Sequence, residues 1–378
     1  MLPVANLILM RKTGIVSLTL MLAVSLSISG CGVHLDDGSG DTVIASKVQM
    51  ARYRASACQE AIQAGIEQVF QGSPNLLEFK NRFANRSKAL GSRWPSTSVK
   101  LKGKAKPENL PEPLPFRTPA NAQALLQKMV DCQADTLNDG IILSALVARS
   151  QDSTQGDKDE EKRLRDTATL AKVLISAGIG MGRDNKQIAA TAAQTLPTAR
   201  PSELSPLRYI NGKWSTDKSS PEDKGSEKGT KQPLTQAQKV ELERIIGQLD
   251  SLRFNLEKNV AQGGEIQLKR LVSNAITPLL RRELQELVSQ LGSDPRQAAY
   301  QPYPGLSGAD KKAISHGLTL AQQLQIDLVS ITPNLQDLGL IQTLSSLSEL
   351  QEQLGFDSGA LPGLKDMSAT VSSSVSVK

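Results

Sequence analysis

The spacing of leucine and isoleucine is the feature that most restricts the fold of this chain. In the second half of the sequence, apolar residues recur at alternating intervals of three and four, at Leu242, Ile245, Leu249, Leu252 and Leu256. These intervals place them along one side of an α-helix, as in a coiled-coil seam. Aromatic residues make up only 3% of the chain, whereas β-sheets draw on aromatic and β-branched residues. The sequence therefore predicts an all-α fold of helical bundles.

The N-terminus carries the pattern of a secretory signal. Arg11 and Lys12 precede an apolar run over residues 14–29, and the small residue Gly30 follows it. A positive region, an apolar region and small residues at a cleavage site define such a signal. A transmembrane helix is the alternative, but the run is shorter than the roughly 20 residues that span a bilayer. This order of charge and apolar core begins at Met10, which we expect to be the translation start.

The segment Ile28-Ser29-Gly30-Cys31 resembles the lipobox of bacterial lipoproteins. The resemblance covers only the signal region. It implies that Cys31 receives a diacylglycerol, becomes the mature N-terminus and is acylated on its new amine, which anchors the chain to a membrane. Several acyl chains give firm anchoring, since each buried CH2 adds about 0.8 kcal/mol. Because Gly32 rather than Asp follows the cysteine, the resemblance favours the outer membrane of the bacterial cell envelope over the inner one.

The two remaining cysteines are Cys58 and Cys132. An exported chain folds in an oxidising compartment, where two such thiols can form a disulfide. Both fall inside predicted helices, so the bond would join the first helix to the third. Two buried thiols that never meet are the alternative.

Proline and charge mark the segments that do not fit helices. The segment over residues 92–117 is Pro-rich and basic, which favours an extended chain. The segment over residues 211–233 is charged and nearly free of apolar residues, so it is predicted to be disordered. The resulting division is a signal peptide at 1–30, a lipidated tether at 31–41, an N-terminal helical domain at 42–210 with an insert at 92–117, a linker at 211–233, a C-terminal helical bundle at 234–356 and a flexible tail at 357–378.

Glycines, caps and prolines predict where helices begin, end and bend. Gly178 to Gly182 is expected either to end a helix over 159–178 or to form a small-residue face for close packing. Thr235 with Gln238, and Ser307 with Asp310, have the spacing of capping boxes. Pro278 is expected to kink its helix. The last helix, predicted to start after Thr332-Pro333, carries a leucine stripe that would form a partner surface if it were uncovered.

A run of basic residues without any acidic residue spans residues 80–106. Such a patch attracts anionic partners, such as lipid headgroups or lipopolysaccharide phosphates. Nucleic acid is a less suitable partner because stacking aromatic residues are scarce in the patch. A solvated flexible loop is the alternative interpretation. The basic residues are Lys80, Arg82, Arg86, Lys88, Arg93, Lys100, Lys102, Lys104 and Lys106.

The sequence predicts no catalytic residue, metal ligand or cofactor. His34 lies three positions after Cys31, whose thiol is expected to carry the lipid, and His316 has no His or Cys neighbour at metal-ligand spacing. The Ser215–Lys218 pair has the Ser-x-x-Lys spacing of some acyl enzymes but lies in the predicted linker without partner motifs.

Two functions remain open. The first is a non-enzymatic, membrane-anchored scaffold or accessory subunit that binds another component of the cell envelope. The second is an enzyme that acts on the cell wall through a lone Glu or Asp as general acid. A deep cleft with a buried carboxylate would favour the enzyme, and an apolar groove would favour the scaffold.

Overall fold

The computed structural model describes residues 43–70, 77–91, 117–150, 158–210, 213–216, 233–332 and 339–364. Residues 1–42, which include the signal, Cys31 and the tether, lie outside this set. Most of the Pro-rich insert, residues 217–232 of the linker and residues 365–378 of the tail also lie outside it.

The described residues are mainly helical, which confirms the all-α prediction. The helices are α1 (Lys47–Val69), α2 (Leu77–Leu90), α3 (Ala122–Ser150), α4 (Lys158–Thr191), α5 (Gln236–Gly263), α6 (Ile266–Leu271), α7 (Thr277–Leu291), α8 (Lys311–Leu328) and α9 (Leu340–Gln353). A small antiparallel sheet in the order β1-β2-β3 accompanies them, formed by β1 (Val43–Ala45), β2 (Leu207–Ile210) and β3 (Lys213–Thr216).

This sheet differs from the sequence analysis at two places. Residues 43–45 fall in the predicted helical domain at 42–210 but form a strand. Helix α1 begins after Ser46, whose side chain accepts a hydrogen bond from the amide of Gln49. Residues 213–216 were expected in the disordered linker but pair with β2. The strand at 213–216 is stabilised by backbone hydrogen bonds to its partner strand β2. The prediction was wrong because the composition of the segment alone does not show that a partner strand is available.

Close packing of α3 against α4 explains the glycines of α4. The helix runs without a break through Gly178 and Gly180, so the expected helix end is wrong and the small-residue alternative is correct. A β-carbon at Gly178 would lie 2.5 Å from Leu137 of α3, and one at Gly140 of α3 would lie 2.6 Å from Ile175. The two helix backbones can approach each other because these positions carry no side chain.

Of the two capping boxes predicted for the C-terminal half, one is present in the structure and the other is not. The Thr235 capping box is present, with the Thr235 amide donating to Gln238 Oε1 at 2.8 Å and the Gln238 amide donating to Thr235 Oγ1 at 3.2 Å. Helix α8 is capped by Asp310, whose carboxylate accepts from the Ala313 amide at 2.8 Å. The predicted box starting at Ser307 is therefore wrong, because the acidic residue itself is the cap.

The distortion expected at Pro278 lies just ahead of it. Residues Val272–Ile276 form a π-helical segment between α6 and α7. The amide of Thr277 donates to the carbonyl of Val272 instead of that of Ser273. Pro278 has no N–H and its ring would crowd the preceding turn, so the wider π turn accommodates it.

The two halves of the chain share one hydrophobic core. Buried residues of α1, α3 and α4 belong to the same cluster as buried residues of α5, α7, α8 and α9. Buried polar contacts also cross between the halves: the Ser144 hydroxyl donates to the carbonyl of Val329, and the Ser176 hydroxyl donates to that of Pro362 at 2.7 Å. The linker predicted between the halves therefore joins two parts that are packed together.

The leucine stripe of α9 lies inside this core. Of the predicted stripe, Leu344, Leu347 and Leu350 are buried and Ile341 is half-buried, whereas Leu335 and Leu338 lie outside the described residues. Helix α9 contacts α4, α7 and α8. The described part of the stripe is therefore not an uncovered partner surface.

Candidate functional site

The disulfide predicted from the cysteine count is present. Cys58 of α1 and Cys132 of α3 are bonded, with their Cα atoms 5.9 Å apart. Both residues are buried in a second, smaller apolar cluster that also contains Phe83 and Met129. The bond joins the first helix to the third across 74 positions of sequence.

The basic patch is divided by the structure. Arg86 is fully buried, Arg82 is mostly buried, and both pair with carboxylates of this chain. Lys80 pairs with Glu67 at 2.9 Å, and Lys88 is exposed on α2. Arg93, Lys100, Lys102, Lys104 and Lys106 lie outside the described residues. The assignment of Arg82 and Arg86 to a surface for anionic partners is corrected, because internal carboxylates already bind them.

Asp184 of α4 is the centre of a buried cluster of charges, which we call the Asp184 cluster. Its carboxylate, with no exposed surface, accepts from Arg82 at 2.9 Å, from Arg183 at 3.0 Å and from Arg86. Burial by itself would raise the pKa of Asp184, but the three guanidinium groups outweigh burial and lower it. Arg86 also lies over the ring of Phe83, 4.9 Å from its centre.

The Asp184 cluster fastens the C-terminal segment to the N-terminal helices. Arg86 Nε donates to the carbonyl of Ala360 at 2.8 Å, and Arg82 pairs with Asp357 at 3.1 Å. Arg183 pairs with Asp357 at 3.1 Å and with Glu352 at 3.0 Å. Residues 357–364, which the sequence analysis placed in the flexible tail, are therefore held by several charge-assisted contacts.

A second buried ion pair connects α1 with α3. Arg54 donates to both oxygens of Asp139, at 3.0 Å to Oδ2, and also to the hydroxyl of Ser202 at 2.8 Å. Ser202 in turn is held by Asp135 through its amide at 2.6 Å and its hydroxyl at 2.9 Å. Burial raises the pKa of Asp139 to about 6 although Arg54 acts in the opposite direction. The pair holds the segment that leads into β2 against the helices.

Glu283 of α7 is a buried carboxyl group that forms no ion pair with any described residue. Its side chain is 1% exposed and accepts from the hydroxyl of Thr343 at 2.8 Å. Its Oε1 atom has no hydrogen-bond partner among the described residues. Burial raises the pKa of Glu283 to about 7, with a further increase from the negative charge of Glu286 and an opposing effect of Arg282. This is the carboxyl group whose chemistry best fits a general acid.

Two clefts lie on either side of α6. One, which we call the π-cleft, has a volume of about 390 Å³ and lies between α5 and the π segment; Val260, Val272, Glu257, Lys269, Thr277 and Arg281 line it. The other has a volume of about 540 Å³ and lies beside the start of α8, where Leu268, Lys311 and Phe356 line it. Neither of these two clefts contains Glu283 or Asp139.

The positions of the buried charges in the sequence follow the same three- and four-residue spacing as the apolar core residues. Arg86 follows Phe83 by three positions and precedes Leu90 by four, which places it on the apolar face of α2. The same intervals hold for Asp184 between Met181 and Ile188, for Glu283 between Leu280 and Leu287, and for Asp139 between Thr136 and Leu143. A charged residue in the register of the core is the feature that distinguishes these groups from solvated ones.

Within the described ranges, no group of His, Cys, Asp and Glu side chains could hold a metal ion. His316 is an exposed residue of α8. None of the described helices is long and apolar enough to cross a membrane.

Comparison of the sequence with protein-family models and curated proteins, and of the fold with solved structures, found no match.

Proposed function

We propose that this protein is a membrane-anchored lipoprotein of the bacterial cell envelope that acts as a non-enzymatic helical scaffold or binding subunit. The observation that carries the proposal is the buried Cys58–Cys132 disulfide. Disulfides persist in oxidising compartments outside the cytosol. Together with the lipobox-like segment ending at Cys31, the bond supports an exported chain that is tethered through its N-terminus.

The ion pairs buried inside the fold support the role of a rigid scaffold. Asp184 and Asp139 each hold a guanidinium group inside the fold, and each of these ion pairs fixes a segment that is distant in sequence. Charge pairs of this kind define one arrangement of the chain. The shared core and the disulfide add to this, so the described part would present a fixed surface to a partner.

The proposed partners are the membrane itself, through Cys31, and another protein of the envelope. The exposed Lys88 and the basic residues of the Pro-rich insert would also attract anionic lipid or lipopolysaccharide. Nucleic acid is a poor candidate because the basic segment has few aromatic residues for base stacking.

An enzyme that acts on the cell wall is the second candidate. The raised pKa of Glu283 favours it, whereas the burial of Glu283 outside both clefts opposes it. A carboxyl group with a pKa near 7 is protonated at the pH at which a general acid must act. Purified protein would be incubated with dye-labelled peptidoglycan. Dye release by the wild type that Glu283→Gln abolishes would support the enzyme, and no release by either protein would favour the scaffold.

The lipoprotein proposal is tested by labelling cells of a two-membrane bacterium with a fatty-acid analogue. The wild-type protein should take up the label and sediment with membranes, and its mature N-terminus should be acylated Cys31 by mass spectrometry. Cys31→Ser should lose both the label and the sedimentation.

The variant Cys58→Ala with Cys132→Ala is the matched control, because it removes the other two cysteines and keeps Cys31. It should retain the label. An unlabelled wild-type protein, or label retained by Cys31→Ser, would contradict the proposal.

A further inference from the structure

The π-cleft owes its shape to the helical distortion ahead of Pro278. An ordinary α-helical turn there would pair the Ser273 carbonyl with the amide of Thr277, which instead bonds to Val272. The next amide along the chain belongs to Pro278 and has no hydrogen. Single π turns inside α-helices are rare and occur frequently at functional sites.

A buried hydroxyl without a partner lies at the wall of this cleft. Thr277 is 5% exposed, and its Oγ1 atom makes no hydrogen bond with the residues that the structure describes. Leaving such a group unpaired carries a penalty, because the hydroxyl loses its hydrogen bonds to water and gains none in return. The Oγ1 atom has almost no accessible surface of its own, so a ligand in the cleft would reach it after rotation about the Cα–Cβ bond of Thr277. A hydrogen bond to the ligand would then remove this penalty.

The charge of the cleft favours an anion. Lys269 forms no ion pair with any described residue, and Arg281 reaches Glu257 only at 3.3 Å. Glu257 is more closely held by Arg253, at 2.9 Å. Arg253 is shared with Asp250, which it holds at 2.7 Å, so Glu257 keeps its negative charge. The lining groups therefore carry two positive charges, from Lys269 and Arg281, against one negative charge, from Glu257, and the cleft is net positive.

The apolar part of the cleft is formed by Val260 and Val272, which are both buried. An apolar wall with a few polar groups at one side is the usual composition of a small-molecule site, and 390 Å³ lies within the size range of such sites. The cleft thus combines an apolar surface, two cations and a hydroxyl in need of a partner.

We propose that the π-cleft binds a small amphiphilic anion, namely a carboxylate on a short alkyl chain. The carboxylate accepts from Lys269 and Arg281 and from the hydroxyl of Thr277, and the alkyl chain packs against Val260 and Val272. This proposal does not depend on the lipid anchor or on a scaffold role, because it rests on the cleft alone.

The test measures binding of octanoate to the full mature chain by calorimetry, with octanol as the uncharged analogue. Octanoate should bind at least about fivefold more tightly than octanol, and added salt should weaken it. Lys269→Gln with Arg281→Gln should raise the dissociation constant at least about fivefold.

The matched control is Lys258→Gln with Arg270→Gln, which removes the same charge from exposed positions that do not line the cleft. It should change the dissociation constant by less than about twofold. Equal weakening by both double variants would overturn the proposal, since it would indicate attraction by net charge alone. No detectable binding of octanoate to the wild type would also overturn it.

Thr277→Val separates a ligand contact from a structural role. Because the hydroxyl has no partner in the free protein, its removal should leave the midpoint of urea unfolding unchanged or raise it. Octanoate binding should weaken at the same time. A lower unfolding midpoint, or unchanged octanoate binding, would contradict the role assigned to Thr277.

Discussion

Arg86 of α2 and Asp184 of α4 form an ion pair in which both side chains are completely buried. The two residues are 98 positions apart in sequence. The pair is stabilised because Arg86 also bonds to Ala360 and Asp184 also binds Arg82 and Arg183. Burial of two charges is favourable only when additional bonds satisfy their remaining atoms. This condition is met in part, because the Nη1 atom of Arg86 has no hydrogen-bond partner among the described residues.

Asp184→Asn should strongly destabilise the protein. The substitution leaves Arg86 buried and without a full counter-charge, for which the expected loss in the free energy of unfolding is about 3–5 kcal/mol. Urea denaturation followed by circular dichroism would measure it. Glu241→Gln is the control, since it breaks a partly exposed pair with Arg244 and should cost less than about 1 kcal/mol. Similar losses for the two variants would show that the Asp184 cluster does not stabilise the fold.

Glu283 should make the protein less stable as the pH rises. Because the pKa of Glu283 is raised to about 7 in the fold, the folded state binds more protons than the unfolded state between about pH 4 and pH 7. The free energy of unfolding should therefore fall as the pH rises through this window. Glu283→Gln should flatten the dependence and raise stability at pH 8, by on the order of 2 kcal/mol.

The control for this measurement is Glu286→Gln, which removes the neighbouring carboxylate that faces Glu283. In this variant the free energy of unfolding should still fall as the pH rises, but the fall should occur at lower pH. The reason is that the pKa of Glu283 decreases when the negative charge of Glu286 is absent. An unchanged pH profile for Glu283→Gln would show that this carboxyl group does not titrate in the window.

Local sequence signals predicted the parts of this fold that depend on neighbouring residues. The capping box at Thr235 and the helical stripe from Leu242 to Leu256 are formed by residues within a few positions of one another. The Cys58–Cys132 bond was predictable because the resemblance at Cys31 left only two other cysteines. The partners of Asp184 could not be predicted in this way, because periodicity shows that a residue faces the core but not which distant side chain it meets there.

Reduction of the disulfide should lower stability without abolishing the fold. The bond closes a loop across 74 positions, for which the chain-entropy relation gives about 4 kcal/mol. Urea unfolding with and without a reducing agent should differ by about this amount in the wild type. The double variant Cys58→Ala with Cys132→Ala should show no effect of the reducing agent. Two thiols that react in the unreduced native protein would contradict the bond.

Limited digestion with trypsin should cut the linker without separating the two halves of the protein. Lys218, Lys224, Lys228 and Lys231 lie in the charged segment whose composition predicts disorder, and such segments are cut first. Lys213 should resist, because it belongs to β3.

The resulting fragments should elute together from a gel-filtration column in native buffer, because they share the core and the Ser176–Pro362 contact. They should separate only in denaturant, and the nicked Asp184→Asn variant should separate at a lower urea concentration than the nicked wild type. Fragments that separate in native buffer would show that the two halves are independent domains. This is the result expected if the segment at 211–233 were a linker between domains that do not share a core.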